Sequence, residues 1–400
     1  MNLETNQLLS ICNTHGTPLY IYDGEEIKAQ VQKLNTAFAS PKFKIKYAMK
    51  ALSNINILKL LRKEGVGLDV VSVQEAKIGL LAGYQAQEIL FTPNCVSLEE
   101  IKEAVALGLV INIDNISILE QFGHEFHNTV PCCIRINPHI AAGGNSKIQV
   151  GHIDSKFGIS IFQLRHILKV VETNNIKVIG LHMHTGSDIL NSDVFLQAAD
   201  VLFEAAHHFP NLDFLDFGSG FKVAYQENDI TTDIDELGGK IITAFDEFCK
   251  SYGKELEIWF EPGKFLVSSS GYLCVRTNVI KHTPAAAFVG VDSGMNHLLR
   301  PMMYNAHHEI VNLSNPKGAT RVYDVVGYIC ETDTFGHNRK LNEVREGDVI
   351  AIKNAGAYGF SMASNYNSRL RPAEVLVDNK EAKLIRKRET LEDLIKGQVY

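Results

Sequence analysis

The sequence has few cysteines, and none of them are spaced as C-x-x-C. Its seven cysteines are an odd number spread along 400 residues, which argues against a disulfide framework or a cysteine-rich zinc site. No apolar run approaches the roughly 20 residues of a membrane-spanning helix. The first residues, MNLETNQLLS, also lack the basic and then apolar layout of a secretory signal. We therefore expect reduced thiols and a soluble, cytoplasmic protein with no membrane partner.

Basic clusters are missing as well. The chain carries 39 Lys and Arg against 46 Asp and Glu, a net charge of −7, so a polyanion-binding surface is not expected and nucleic acid is excluded as a predicted partner. The remaining composition is that of an ordinary folded protein, with 45% hydrophobic and 21% charged residues. A chain of this length favours two domains.

Eight short β-rich runs alternate with segments of helical periodicity between Phe43 and Glu261. The runs are FKIKYAM (43–49), VGLDVVS (66–72), EILFT (88–92), LVINI (109–113), CCIRIN (132–137), VIGLHMH (178–184), LDFLDFG (212–218) and LEIWFEP (256–262). This alternation predicts a (β/α)8 barrel of the TIM type. An open doubly wound sheet is the alternative, but no G-x-G-x-x-G opens a helix after an early strand.

From about Phe265 the pattern changes to short β-runs separated by Gly, Pro, Asn and Asp. Such a pattern is typical of an all-β domain, either a sandwich or a barrel. The early run PLYIYD (18–23) precedes the barrel strands, and we expect it to join this second domain. The sequence therefore predicts an α/β protein with a barrel over residues 25–265 and a β domain made of residues 1–24 and 266–400.

Polar residues stand at the predicted C-terminal ends of the barrel strands, where barrels of this type carry their chemistry. They are Lys50, Asp69, Arg135, His182, His184, the GSG of 218–220 and Glu261. A lysine at a strand end can form a Schiff base with a carbonyl group. Taken alone, Lys50 is more simply a surface lysine, so its meaning depends on its neighbours.

Three groups of residues near these strand ends have both a functional and a structural interpretation. The glycines of HTGS (184–187) and GSG (218–220) can bring backbone N–H groups to a phosphate, or they can form tight turns. Glu261, which ends an apolar run, needs a cationic partner if it is buried, such as a protonated pyridine nitrogen, Lys or Arg. His182 and His184 are expected to face the same way on strand six, as metal ligands or as one core ring and one ring stacked on a planar cofactor. A metallohydrolase of the barrel type would usually carry an H-x-H pair of metal ligands on its first strand. Strand one has no such pair, so no metal site is predicted.

Together these residues resemble the fold-type III pyridoxal-phosphate decarboxylases, and most closely the branch that acts on diaminopimelate. The motifs follow the family's order from about Pro18 to Val377. They are YAMKA, GLDVVSVQEA, GLHMHTGSD, LDFGSGF, EPGK, LLRPMMY, CETDTF and NAGAYGFSMASNYNSRLRPAEVL. No single motif decides the matter, but the ordered set is highly specific.

The resemblance implies a barrel that binds pyridoxal 5'-phosphate and a β domain that contributes substrate and dimer-interface residues. It assigns catalytic roles to Lys50 as the Schiff-base lysine, His184 as the stacking ring, Glu261 as the partner of the ring nitrogen, and Cys330. The cofactor-binding residues that it implies are Lys50, Asp69, His184, Ser187, Gly218, Gly220, Glu261, Gly263, Lys264 and Tyr358. The substrate-binding residues that it implies are Lys264, Arg300, Tyr304, Glu331 and Tyr358.

The implied activity is decarboxylation of meso-2,6-diaminopimelate to L-lysine and CO₂, the last step of lysine biosynthesis. The implied assembly is a homodimer in which Cys330 and Glu331 reach the partner's site. Cys330 is a plausible proton donor to the former Cα, or else a simple apolar thiol. Alternative activities are decarboxylation of carboxynorspermidine, ornithine or arginine, and further alternatives are a non-catalytic regulatory relative and a metallohydrolase.

The sequence departs from the family pattern in three motifs. It has GSG for a glycine triplet, EPGK for EPGR, and CETDT for CESGD. The second departure matters most, since Lys264 offers a point charge where arginine offers a planar fork. Between strands five and six, the glycine-rich segment of residues 141–155 is predicted to be a lid.

Overall fold

The computed structural model describes residues 3–140 and 155–399. The described α-helices are α1 (Thr5–His15), α2 (Gly24–Ala37), α3 (Ile55–Lys63), α4 (Val73–Leu81), α5 (Leu98–Ala106), α6 (Ile116–Phe126), α7 (Leu164–Asn174), α8 (Ser192–Ala206), α9 (Ile234–Tyr252), α10 (Lys264–Val267), α11 (Arg300–Tyr304) and α12 (Leu391–Ile395). The predicted lid of residues 141–155 lies, except for Ser155, outside the described residues.

The described β-strands follow the same chain order. They are β1 (Leu19–Asp23), β2 (Phe43–Ala48), β3 (Gly67–Val70), β4 (Ile89–Phe91), β5 (Val110–Ile113), β6 (Cys132–Asn137), β7 (Ile159–Ser160), β8 (Val178–His182), β9 (Phe214–Asp216), β10 (Glu257–Phe260), β11 (Gly271–His282), β12 (Ala287–Val291), β13 (Ile310–Asn312), β14 (Thr320–Val326), β15 (Thr334–Asn342), β16 (Val349–Ile352), β17 (Ala373–Asp378) and β18 (Glu381–Arg386).

The chain divides into two compact units. The barrel unit consists of Gln30–Val223 and Ile230–Phe265, and the sheet unit consists of Met1–Ala29, Ala224–Asp229 and Leu266–Tyr400. The domain bounds predicted from the sequence, 25–265 against 1–24 plus 266–400, stay a prediction about how the chain is organised.

Eight parallel strands close into a barrel in the barrel unit. Their order is β2, β3, β4, β5, β6, β8, β9 and β10, and β10 pairs back to β2. Each of the eight predicted runs contains one of these strands, so the predicted (β/α)8 barrel is confirmed. The short strand β7 pairs with β6 beside the barrel.

Capping side chains begin the helices that follow the barrel strands. Asn54, Ser72, Ser97, Asn115 and Asp233 each accept a backbone N–H two or three residues further on. Each such cap stabilises its helix by about 1 kcal/mol. Because the caps fix where the helices begin, they also fix the loops at the C-terminal ends of the strands.

The barrel interior has an apolar layer below a polar one. Phe214 and Trp259 stack with ring centroids 3.6 Å apart and pack with Leu90 and Cys133. Asp216 is the last residue of β9, and Glu261 directly follows the last residue of β10. Both acids are buried, so they form a polar layer nearer the C-terminal ends of these strands.

The sheet unit is built on nine strands in a mixed sheet. The main path runs β15, β14, β12, β11, β1, β17 and β18, and β16 pairs with both β11 and β13. The early strand β1 pairs antiparallel with β11 and parallel with β17. The prediction that PLYIYD joins the C-terminal β-strands is therefore confirmed.

Among the residues that the structure describes, none of the helices combines the length and the apolar character needed to cross a membrane.

Candidate active site

Lys50 lies in a short 3-10 turn, Met49–Ala51, directly after β2. Its Nζ is 3.7 Å from Oδ2 of Asp69, whose side chain is 1% exposed, whereas that of Lys50 is 44% exposed. Ala48 at the end of β2 is paired with Asp69 on β3, which places the turn beside this carboxylate. The lysine amine is therefore held at the rim of the barrel, next to a buried acid.

Burial dominates the chemistry of Asp69. The pKa of this carboxyl group is raised to about 6, first by burial and then by the nearby Glu261, while the Lys50 ammonium opposes the shift. Its second oxygen, Oδ1, has no hydrogen-bond partner among the described residues. Because a buried unpaired oxygen is unfavourable, a ligand that donates a hydrogen bond there would be stabilised.

Glu261 presents a second buried carboxylate at the end of β10. One oxygen, Oε2, is 3.2 Å from Nε2 of His182, and the other, Oε1, has no hydrogen-bond partner among residues 3–140 and 155–399. Burial raises the pKa of Glu261, while Lys50 and Arg135 act in the opposite direction. The open oxygen is therefore suited to a cationic N–H group of a ligand.

Asp216 is a site residue that the sequence analysis missed. It is fully buried on β9, where its Oδ1 accepts the Gly218 N–H at 2.8 Å. Burial, and then the neighbouring Glu261, raise its pKa well above the usual range. Burial therefore favours the protonated form of both acids, and it does so more strongly for Asp216 than for Glu261. The signal in the sequence was an acid inside the apolar run LDFLDFG.

One oxygen or nitrogen from each of His182, Asp216 and Glu261 lies within 4.8 Å of the others. A group of this composition can hold a metal ion. The predicted absence of a metal site stays a prediction.

The structure corrects the prediction that both His182 and His184 lie on strand six, because β8 ends at His182. His182 contacts Glu261, whereas His184 lies in the following loop and accepts the Ser219 N–H at Nδ1, 3.2 Å away. Burial, and then Arg135, lower the pKa of both rings well below the usual value. Both histidines are therefore neutral, and a backbone amide orients the His184 ring.

The glycines of the GSG motif fit backbone sites with no room for a side chain. Gly218 has φ +61°, and a Cβ there would lie 2.6 Å from Nδ1 of His184. Gly220 has φ +128°, and its Cβ would lie 2.5 Å from the Gly186 carbonyl oxygen. The Ile189 N–H also donates to the Gly220 oxygen at 2.8 Å. Two loops rich in Gly and Ser, including Ser187, thus lie side by side, an arrangement that can hold a phosphate through backbone N–H groups.

The EPGK turn packs on the turn that carries Lys50. The Ala48 N–H donates to the Pro262 oxygen at 3.3 Å, and a Cβ on Gly263 would lie 3.3 Å from the Cβ atoms of both Ala48 and Ala51. Lys264 follows, and its Nζ is 2.6 Å from Oδ1 of Asp188. The sequence alone predicts no role for Asp188.

The five remaining predicted residues, Arg300, Tyr304, Cys330, Glu331 and Tyr358, lie in the sheet unit. Arg300 is buried at the start of α11, with its guanidinium carbon 5.1 Å from the Tyr225 ring centre and 6.0 Å from that of Tyr304. Its Nε has no hydrogen-bond partner within the described part of the chain. Arg300 is therefore a buried guanidinium whose Nε–H donor has no acceptor among the described residues.

Cys330 and Glu331 are exposed on the sheet unit. The amide nitrogen of Asn367 lies 3.4 Å from Sγ of Cys330, and the Tyr366 hydroxyl donates to Oε1 of Glu331. Tyr358 is partly buried and has a positive φ of +55°. The structure thus brings together the predicted barrel residues around Lys50, and it leaves Cys330 and Glu331 on the surface of their own unit.

Comparison with known proteins places this arrangement in a family. Residues 24–268 match the family model described as pyridoxal-dependent decarboxylase, pyridoxal binding domain. The chain is 36% identical to the diaminopimelate decarboxylase of Methanothermobacter thermautotrophicus, over 98% of this chain and 93% of the relative. It is 35% identical to that of Bacillus subtilis, over 97% and 92% of the two chains.

A solved structure agrees with these sequence matches. The diaminopimelate decarboxylase from Helicobacter pylori complexed with L-lysine superposes with a TM-score of 0.90 at 34% identity, over 97% of this chain and 98% of the other. The resemblance stated from the motifs is therefore confirmed, and the chain belongs to the pyridoxal-dependent decarboxylase family.

Proposed function

We propose that this protein decarboxylates meso-2,6-diaminopimelate to L-lysine and CO₂, the last step of lysine biosynthesis, with pyridoxal 5'-phosphate as its cofactor. The proposal is supported by relatives of that name that match nearly the whole chain. The structural observation that carries it is the open oxygen of Glu261, buried at the same rim as Lys50. We also propose that the enzyme is cytoplasmic.

The barrel rim fits the cofactor in three respects. The GSG and HTGS loops have close backbone contacts where a Cβ would clash, as a phosphate cradle requires. The open Glu261 oxygen can accept a hydrogen bond from a pyridinium nitrogen. Lys50 supplies a partly exposed amine beside them. When bound, the cofactor acts as the electron sink that lets CO₂ leave the substrate's Cα.

The chain's own residues hold and orient the cofactor in this proposal. We assign to Lys50 the covalent attachment of the cofactor and to Glu261 the hydrogen bond that keeps the ring nitrogen protonated. To Asp216 we assign the proton that the pair retains, which leaves the charge on Glu261. His184, neutral and oriented by the Ser219 amide, offers a flat ring to stack on the cofactor.

The proton that replaces CO₂ on Cα is assigned to Cys330. A thiol can donate its S–H proton as a general acid. Its exposure on the sheet unit, together with that of Glu331, supports a homodimer in which both residues enter the partner's site. This exposure also agrees with an active site that is completed only by residues from two subunits.

Arg300 is proposed to bind the substrate's distal carboxylate, and Glu331 the distal ammonium. A buried guanidinium with an unpaired Nε favours an anionic ligand, since charged groups are unfavourable in the interior without opposite charges. Ornithine and arginine carry no carboxylate at that end. The site therefore favours diaminopimelate over these other substrates of related enzymes.

Replacing Arg300 by Met is expected to raise KM for meso-diaminopimelate and to lower kcat/KM by about 10- to 100-fold, because the variant loses a charge-assisted hydrogen bond. The absorbance of the bound cofactor should stay unchanged. Steady-state kinetics measures the first effect and a visible spectrum the second. Arg321→Met, which removes an exposed guanidinium paired with Glu343 in the same unit, is the matched control and should behave as wild type. Unchanged kcat/KM in Arg300→Met would contradict the assignment.

A further inference from the structure

An ion pair joins two loops of the barrel rim. Nζ of Lys264, in the EPGK turn, lies 2.6 Å from Oδ1 of Asp188, in the loop after β8. The two side chains are only 10% and 26% exposed, so water competes weakly for the contact. The family resemblance gives Lys264 a role but gives none to Asp188.

The backbone of Asp188 explains its residue type only in part. Asp188 has φ +61°, a left-handed conformation that Gly, Asn and Asp tolerate best. Its neighbour Ile189 is tied to Gly220 by a backbone hydrogen bond of 2.8 Å. Asn or Gly would satisfy this backbone equally well. The feature that only Asp supplies is a negative charge, and that charge lies against Lys264.

Lys264 depends on such an ion pair to fix the position of its charge more than an arginine would. A lysine carries its charge on a flexible four-carbon stem with three N–H donors and no planar fork. Gly263, just before it, is packed against the turn that carries Lys50, which fixes the backbone but not the end of the side chain. One bond to Asp188 fixes the ammonium and leaves two donors for a ligand.

The ammonium also lies close enough to affect the predicted cofactor site. The pKa of His184 is lowered first by burial, then by Arg135 and Lys50, and also by Lys264. The Lys264 ammonium is thus near the ring predicted to stack on the cofactor.

We propose that Asp188 is a positioning residue that fixes the Lys264 ammonium so that its two remaining N–H donors bind an oxyanion of the ligand. The oxyanion is the cofactor's phosphate or the substrate's distal carboxylate, and the naming of these ligands rests on the proposed function. Asp188 and Lys264 together then take the place of the arginine in the family's EPGR motif.

The test uses Asp188→Asn, which keeps the left-handed backbone and the side-chain shape but removes the charge. If the oxyanion is the phosphate, the dissociation constant of the apoenzyme for pyridoxal 5'-phosphate rises about tenfold, and that for pyridoxal, which lacks the phosphate, does not change. If it is the carboxylate, KM for meso-diaminopimelate rises about tenfold at saturating cofactor, with kcat within about twofold.

Lys264→Met, measured separately, should shift the same constant, and the double variant should be no weaker than Lys264→Met alone because the two residues act as a unit. The control is Asp213→Asn, which breaks the exposed Asp213–Lys254 pair of the same unit and should change neither constant. The proposal is overturned if both constants of Asp188→Asn stay within twofold of wild type, or if the two substitutions add.

A failure of the proposed function would look different. Wild-type protein would then bind pyridoxal 5'-phosphate but release no CO₂ from meso-diaminopimelate. In that case the dissociation constants of Asp188→Asn and Lys264→Met for pyridoxal 5'-phosphate and for meso-diaminopimelate would decide the role of Asp188, and the proposal would be overturned if both constants stayed within twofold of wild type.

Discussion

Lys50→Ala is expected to lower decarboxylation by about 10³-fold or more, because the variant loses the amine that attaches the cofactor. In the wild-type protein, borohydride reduction followed by peptide mass mapping should find a pyridoxyl group on Lys50. The Lys50→Ala protein should show no such adduct and should lose the yellow colour on dialysis.

Strand β2, which directly precedes the turn with Lys50, offers two lysines for comparison. Lys44→Ala removes an exposed amine of β2 and should leave activity unchanged. Lys46 is the stronger competitor, because burial lowers its pKa to about 8 and so increases its neutral, nucleophilic fraction. It lies inside the barrel, however, with its Nζ 4.1 Å from the centre of the Trp259 ring. An adduct on Lys46 instead of Lys50 would show that the site has been assigned to the wrong amine.

Mixing two inactive variants should restore activity if sites are shared between subunits. Lys50→Ala and Cys330→Ala are each expected to be nearly inactive as homodimers. After subunit exchange at equal concentrations, half of the dimers carry one intact site out of two, so activity should return to about a quarter of the wild-type value. Activity is measured as CO₂ release before and after exchange.

The control for this experiment is Lys50→Ala mixed with a second variant of the same side, Glu261→Gln. Both residues lie in the barrel unit. A heterodimer of these two variants would therefore contain an intact site only if the Lys50 and the Glu261 of one site came from different subunits. No recovery is expected for this pair. If exchange is verified by mass spectrometry and the Lys50→Ala and Cys330→Ala mixture also stays inactive, the shared-site homodimer is wrong.

The barrel was predictable because its strands are buried runs separated by amphipathic helices, a pattern that depends on local sequence. The exact ends of the strands were not predictable. The run 43–49 continues past the last paired residue, Ala48, so Lys50 lies in a turn instead of at the strand end. His184 leaves β8 for the same reason, since the apolar pattern does not show where backbone pairing stops.

Two acids of the site show the limit of sequence reasoning more clearly. Asp216 is identified by its closeness to Glu261, and Asp188 by its closeness to Lys264, 76 positions away along the chain. Neither distance can be derived from spacing, because each depends on which strands become neighbours and on the conformation of a loop. The family motifs drew attention to Lys264 through its departure from arginine, but only the structure supplies its partner.

The most direct test of the central claim is to incubate the purified wild-type protein, saturated with pyridoxal 5'-phosphate, with meso-diaminopimelate and to measure L-lysine and CO₂. The proposed function predicts equal amounts of the two products, and little or no CO₂ from ornithine, arginine or carboxynorspermidine under the same conditions. Absence of lysine from a cofactor-loaded protein, or faster release of CO₂ from one of the other three amino acids, would contradict it.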